Sequence, residues 1–367
     1  MMDTVFWAAA GVVLYTYIGY PALLALWARV CPRPHVASDR FLPGVSIVVA
    51  ARREAERLPA RIENLLALDY PAERLEIVVA VNGSTDGTAQ AVSRYLTAPA
   101  GSPAVRLVEL PQPGKAEALN AAVAVARHDV IVFADARQRF ARDTVRRLVR
   151  NLADPRVGAV SGELVLDCER GASDSSIGEG LGAYWRYEKA LRRLESRVDS
   201  TLGATGAVYA LRRAYWRDLP PGTILDDVLA PMRAVLAGSR VVFDDGARAF
   251  DTAPPDAGAE TRRKTRTLAG NYQLLALEPR LLVPGANRVW VQFCSHKLAR
   301  LLVPFALVAL FAASAFLAPG HALYAAAFGA QVIFYTLALY GARLEHADAS
   351  RARGGRAARS ARKAVNA

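Results

Sequence analysis

The sequence predicts an α/β domain on a mainly parallel sheet, flanked by helices that cross a membrane. Three observations predict it. Apolar, β-branched runs of strand length alternate with helical stretches between residues 45 and 134. Polar and acidic residues follow directly on two of those runs. Uncharged apolar segments of bilayer length lie towards both ends of the chain.

Residues 5–28 carry no charge, and Asp3 rather than a basic stretch precedes them, which favours a transmembrane helix over a leader. Residues 45–50, after Pro43-Gly44, read as a buried strand, and 55–68 as a helix ending near Tyr70-Pro71. A second strand, 75–81, runs into the Gly-rich turn 82–88, where a helix starts. Strand 105–110, helix 115–126 and strand 130–134 complete the alternation, which calls for parallel strands joined by crossover helices. Beyond it the pattern predicts a strand at 157–166, a charged amphipathic helix at 182–198 and a short strand at 203–211. A helix opening at Leu225-Asp226-Asp227, a strand at 240–243 and a polar loop at 256–264 follow. Residues 290–302 mix aromatic and basic side chains, as a segment on a membrane surface does. Residues 301–342 are uncharged, and Pro319-Gly320 divides them into two spans.

The expected organisation is therefore a transmembrane helix and linker (1–40), a cytosolic α/β domain (41–280), an interfacial segment (281–300), two transmembrane helices (301–343) and a basic tail (344–367). Charge orients these pieces. Arg29, Arg33 and Arg40 follow the first span, Lys297 and Arg300 precede the second, and Arg343 with a run of arginines follows the third. The positive-inside tendency then puts the N-terminus outside and the domain and C-terminus in the cytosol. Much of the net charge of +12 clusters beside the spans, without zinc-finger or RNA-recognition spacing. Anionic membrane lipids, not nucleic acid, are the expected partners. No motif names a protein partner. Three widely separated cysteines support neither a disulfide framework nor a zinc site, and fit a reducing compartment.

Four islands carry the chemistry. The turn Asn82-Gly83-Ser84-Thr85-Asp86-Gly87-Thr88 either presents backbone N–H groups to a nucleotide or simply caps the next helix. Glu54, after the first strand, has the same two readings. Lys115, after Gly114, starts a helix where cations are disfavoured, so it is a phosphate contact or a solvated lysine. Asp135 ends an apolar strand at the crevice edge, where one carboxylate can share a divalent ion with phosphates. Asp226 and Asp227 offer a helix cap or a general base. Arg263, Lys264 and Arg266 form a basic cluster suited to a diphosphate, or a solvated run beside the membrane.

Taken together, the islands resemble the family 2 glycosyltransferases, inverting enzymes with a GT-A nucleotide-sugar-binding fold, over roughly residues 44–270. The flanking spans resemble its membrane-bound branch, which includes cellulose and hyaluronan synthases. Ala50-Ala51-Arg52-Arg53-Glu54 stands where the family has Pro-Ala-Tyr-Asn-Glu. Asn82 takes the place of a base-contacting aspartate, and Gly114-Lys115 with Ala118-Leu119-Asn120 match. Asp135-Ala136-Arg137 replaces Asp-X-Asp, and Asp226-Asp227 replaces Glu-Asp, whose second acid is the family's base. Arg263 to Thr267 stands where processive members have Gln-X-X-Arg-Trp.

The resemblance implies a nucleotide-diphosphate sugar donor, with Glu54, Asn82, Asp86, Lys115, Asp135, Arg137, Arg263 and Arg266 binding it. It implies Asp227, with Asp226, as the catalytic acid pair, and Mg²⁺ or Mn²⁺ on Asp135. Arg137 removes the second metal-binding carboxylate and supplies a fixed cation instead. A lipid-linked or membrane-proximal glycan of a bacterial envelope or exopolysaccharide pathway is the implied acceptor, at the inner membrane. A processive synthase and a non-catalytic nucleotide-sugar-binding partner are the alternative readings.

Overall fold

A computed structural model of the chain describes residues 1–97, 99, 101–166, 176–251, 257–341 and 343. Its strands are β1 (Val45–Ala51), β2 (Leu75–Asn82), β3 (Ala104–Leu110), β4 (Val130–Asp135), β5 (Arg139–Phe140), β6 (Val157–Leu166), β7 (Val208–Arg212) and β8 (Arg240–Asp251). The helices are α1 (Met2–Val30), α2 (Leu58–Leu66), α3 (Thr88–Ser93), α4 (Lys115–Val125), α5 (Thr144–Arg150), α6 (Ser176–Val198), α7 (Asp226–Leu236), α8 (Ala257–Leu277), α9 (Trp290–Leu317) and α10 (Ala322–Gly341). By their internal contacts the residues form two units. Among the described residues, one draws on 1–20, 257–266 and those from 298 onward, the other on those between 21 and 251 and on 267–297.

The second unit is built on one eight-stranded sheet in the order β3-β2-β1-β4-β7-β6-β8-β5. The expected parallel core is there: β3, β2, β1 and β4 run parallel, as do β6 and β8. β7 is antiparallel to both β4 and β6, and β5 to β8. β1 and β2 are central strands covered on both faces, which is why they read as near-continuous Val, Ile and Ala runs rather than as an alternation. Leu58, Ile62 and Leu65 of α2 and Val145, Leu148 and Val149 of α5 complete the same core.

Several elements differ from the sequence reading, which did not foresee β5 or α5 and started the β7 strand at 203. β8 extends eight residues past the expected strand, because Asp244 in its middle is buried and neutralised by Arg150 at 3.0 Å and Asn151 at 2.9 Å. Residues 257–264, expected as a loop, belong to α8, whose polar, charged first half has no apolar stripe to announce it. Residues 290–300, expected as a separate interfacial piece, form the start of α9 and include a π-helical turn at Phe293–Leu298. Asp199, buried, receives Arg33 at 2.8 Å and Arg288 at 3.0 Å. The segments after α1 and before α9 are thereby fixed to the sheet domain.

The helices α1, α9 and α10 are long and apolar enough to cross a membrane, and the first unit takes in residues 2–20 of α1, 298–317 of α9 and all of α10. Asp3 accepts a hydrogen bond from the Tyr324 hydroxyl at 2.7 Å, and Phe6 packs edge-on against the Tyr324 ring at 4.8 Å. Gln331 of α10 donates to the Ser314 hydroxyl of α9 at 3.1 Å. Phe305, Val308, Ile333 and Leu337 remain exposed, as lipid-facing side chains would. The chain breaks between α9 and α10 around Pro319-Gly320, as expected. The expected basic tail, 344–367, lies outside the described residues.

Candidate functional site

From β1 the chain builds outward through β2 to β3, then returns to place β4 on the other side of β1. The carboxyl ends of β1 and β4 therefore flank the point where strand order reverses, the natural ligand crevice of an open α/β sheet. Asp135, the last residue of β4, pairs in register with Ala50 of β1. It lines a small crevice with Ala50, Lys115, Leu119, Phe133, Gly206 and Asp226.

Two helix N-termini supply the other charges. Asp226 and Asp227 open α7, where the helix dipole favours carboxylates. Lys115 opens α4 against that preference, and its Nζ lies 3.1 Å from Asp226 Oδ1 and 3.7 Å from Asp135 Oδ1. One ammonium thus bridges carboxylates from two elements. Burial opposes its charge, but Asp226 first, then Asp135 and Asp227, hold its pKa above the ordinary lysine value. Asp227 is pushed the other way. Burial and then the Asp226 charge raise its carboxyl to about 6, against the pull of Lys115.

Backbone geometry fixes Asp227. The Gly206 N–H donates to Asp227 Oδ2 at 3.0 Å, and the Ala204 N–H donates to the Asp227 carbonyl at 2.8 Å. Asn120 clamps the approach to α7 with a pair of hydrogen bonds to the Leu219 backbone, at 3.0 and 2.9 Å. Beneath the crevice, Phe133 stacks on Tyr209 at 4.5 Å and on Trp216 at 5.1 Å. Tyr209 is fully buried, and its hydroxyl makes no hydrogen bond among the described residues. Burial, then Asp226, Asp227 and Asp135, raise its pKa well above the ordinary value.

A neighbouring cleft of about 270 Å³ is lined by Arg53, Glu54, Ala55, Glu56, Arg57 and Asp86. Arg53 adopts φ +56° there, with its N–H donating to Ser84 Oγ at 3.0 Å. Glu54 pairs with Arg57 at 3.0 Å. Asp86 accepts from the Thr88 hydroxyl at 2.5 Å and from the Ala55 N–H at 3.4 Å. The Thr88 bond lowers its pKa first. Asp86 is therefore a cap and a brace as well as part of the cleft wall. Asn82 is turned inward, donating to the Gly114 carbonyl at 2.8 Å, and is 4% exposed.

The position to which the resemblance gives a second metal-binding carboxylate carries Arg137 instead. Arg137 Nη2 lies 2.8 Å from Asp251 Oδ2, and Gln138 Nε2 donates to the same oxygen at 2.9 Å. Arg61 is 3% exposed and lies over the Phe140 ring at 4.2 Å. Its Nη1 donates to Asn64 Oδ1 at 2.8 Å, whereas Nε and Nη2 have no partner among the described residues. Burial lowers its pKa to about 9, with Asp135 opposing, so it is cationic at neutral pH. These residues do not fit a resident divalent ion: Asp135 is one carboxylate with an ammonium beside it. No group of three His, Cys, Asp or Glu converges among the described residues.

Of the residues singled out from sequence, Lys115, Asp135, Asp226 and Asp227 come together, and Glu54 and Asp86 share the adjoining cleft. Arg137 is directed to Asp251, and Arg263 and Arg266 belong to the exposed first half of α8, in the other unit. Sequence reasoning missed Gly206, Tyr209, Asp251 and Arg61. Arg61 left a trace, a charge on the apolar stripe of Leu58, Ile62 and Leu65.

Comparison with known proteins agrees with this geometry. The sequence profile described as Glycosyl transferase family 2 matches residues 46–219. An N-acetylglucosaminyltransferase of Rhizobium meliloti (strain 1021) is 27% identical over 221 residues, 58% of this chain and 50% of the relative. A poly-beta-1,6-N-acetyl-D-glucosamine synthase of Staphylococcus aureus (strain COL) is 25% identical over 256 residues, 66% of this chain and 58% of the relative. The chain spans about half to three-fifths of the length of these curated relatives. Among solved structures, the mannosyltransferase PcManGT from Pyrobaculum calidifontis, in complex with GDP-Man and Mn²⁺, superposes with a TM-score of 0.72. It is 26% identical, and the match covers 92% of each chain. With its β1–β4 crevice, profile match and near full-length structural likeness, the chain carries a glycosyl transferase family 2 domain over residues 46–219 and has a GT-A fold.

Proposed function

We propose that this protein is a membrane-embedded, inverting glycosyltransferase that moves a sugar from a nucleotide diphosphate to a lipid-linked or membrane-proximal glycan acceptor. One observation carries the reading: Gly206, which lines the crevice holding the Lys115–Asp226 ion pair, anchors through its N–H the adjoining carboxylate of raised pKa, Asp227. Transfer needs a base for the acceptor hydroxyl and positive charge for the departing diphosphate, and Asp227 and Lys115 supply one of each.

In this mechanism ionised Asp227 takes the proton of the acceptor hydroxyl as its oxygen bonds to the anomeric carbon. The bond from that carbon to the diphosphate breaks on the opposite face, its electron pair leaves with the nucleotide, and configuration inverts. Lys115 stabilises the leaving diphosphate. Asp226 holds Lys115 in place and keeps Asp227 basic. Glu54 and Asp86 border the nucleoside pocket, with Asn82 fixing its floor to Gly114. Asp135, the carboxylate that the resemblance gives to a Mg²⁺ or Mn²⁺, lies 3.7 Å from the Lys115 ammonium, and no step here passes through a metal.

Charge beside the spans supports a cytosolic site and C-terminus at the inner membrane of a bacterium, in envelope or exopolysaccharide synthesis. The name of the staphylococcal relative favours a second reading, processive synthesis, which product length distinguishes.

The test is release of nucleoside diphosphate from UDP-, GDP- and dTDP-sugars by membranes containing the protein and mixed lipid-linked acceptors. Release abolished by Asp227→Asn supports the reading. Release unaffected by that substitution, or nucleotide-sugar binding without release across the acceptors, overturns it.

A further inference from the structure

Asp135 stands among fixed positive charges. Lys115 Nζ is 3.7 Å from it, Arg137 follows two residues later, and the buried Arg61, with two guanidinium nitrogens unpartnered among the described residues, interacts with it electrostatically. With Lys297, a charge that favours ionised Asp227, they face Asp135, Asp226, Asp227 and Asp251, so the local charges balance. A divalent ion gathers where carboxylates outnumber cations. Here they do not, and the position that would add the second carboxylate adds a guanidinium.

We propose, on the donor reading above, that this chain holds the diphosphate of its sugar nucleotide with fixed cations rather than a divalent ion. Lys115 and Arg137 face the phosphates, and Arg61 neutralises Asp135. A guanidinium suits this task because its planar fork matches two phosphate oxygens at once. Arg137 is free to make the exchange. Its side chain is 54% exposed, and an ion pair with one solvated partner is weakly held. When Arg137 turns to a phosphate, Gln138 Nε2 still donates to Asp251 Oδ2, while the carboxylate loses its cation and its Oδ1 has no partner among the described residues, a cost that phosphate binding must exceed. Arg61 acts as a positioning residue, cancelling the carboxylate charge that would otherwise repel the diphosphate.

The experiment is calorimetric titration of the full chain in detergent with UDP, GDP and dTDP, each in EDTA and in excess Mn²⁺. For the nucleotide that binds, the expected affinities in the two media agree within about twofold, a difference smaller than one charge-assisted hydrogen bond makes. Arg137→Asp restores the carboxylate pair. Its affinity in EDTA is expected to fall about 10- to 100-fold, and Mn²⁺ to recover it. Arg137→Gln, which adds no charge, is expected to lose affinity in both media. An unmodified protein whose affinity drops about tenfold or more in EDTA and returns with Mn²⁺ overturns the proposal and leaves the transferase reading standing. Failure of all three nucleotides in both media overturns both.

Discussion

Gly206 and Asp227 meet at van der Waals limits: the Gly206 N–H donates to Asp227 Oδ2 at 3.0 Å, and a Cβ at position 206 would stand 2.8 Å from that same oxygen. The glycine is what lets the backbone approach the carboxylate and aim it. Gly206→Ala should therefore move the base without removing it. Displacements of about 1 Å at a reacting group cost about 100-fold, so a 10- to 100-fold fall in kcat is expected, with nucleotide affinity unchanged. Asp227→Asn, the reference, should lose about 10²- to 10⁴-fold, the usual range for a general base. An equal loss of nucleotide affinity in Gly206→Ala would assign the glycine to the donor pocket instead.

The raised Asp227 pKa sets opposite pH trends for rate and stability. The folded protein holds this proton up to about pH 6, the unfolded chain only to about 3.8. This group's contribution to stability is therefore full below pH 3.8 and lost as pH rises through about 6. Catalysis needs the ionised base, so kcat/KM should climb through about pH 6 and then level off. Asp226→Asn removes a like charge and should shift that acidic limb to lower pH. A limb unmoved by Asp226→Asn would show that another group titrates.

Much of the crevice was legible because its parts are local. A strand that ends in a carboxylate, a lysine after Gly114 and two acids at a helix start announce themselves within a few residues. What stayed hidden depends on partners far along the chain. The expected strand stops before Asp244, because nothing local shows that Arg150 pairs with this carboxylate and Asn151 donates to it, so that β8 continues. Nothing local tells Asn82 to bond Gly114 rather than a ligand. Likewise the role of Gly206 appears only when Asp227, 21 residues on, packs against it.

Tyr209 offers a stability test without obvious catalytic cost. Its ring stacks on Phe133, but its hydroxyl is buried and has no hydrogen-bond partner among the described residues. A buried, unsatisfied polar group costs about 1–3 kcal/mol. Tyr209→Phe keeps the stack and removes that burden, so the variant should gain about 1 kcal/mol and melt at a higher temperature. A lower melting temperature would mean that the hydroxyl donates to the acidic cluster above it.

Lys115 joins binding, stability and pH in one side chain. Its ammonium is the 3.1 Å partner of Asp226, whose side chain is only 6% exposed, so Lys115→Met leaves a buried carboxylate short of its counter-charge. The variant should melt lower than the unmodified protein and lose about 10- to 100-fold in nucleotide affinity, the loss of one charge-assisted contact. It should also move the acidic limb of kcat/KM to higher pH, because Lys115 is a charge that favours ionised Asp227. Lys115→Arg keeps the charge but not the compact ammonium, and should recover the limb more fully than the affinity. These readouts separate roles: a solvated lysine would change none of them, and a purely structural one would lower the melting temperature while leaving nucleotide affinity and the limb in place.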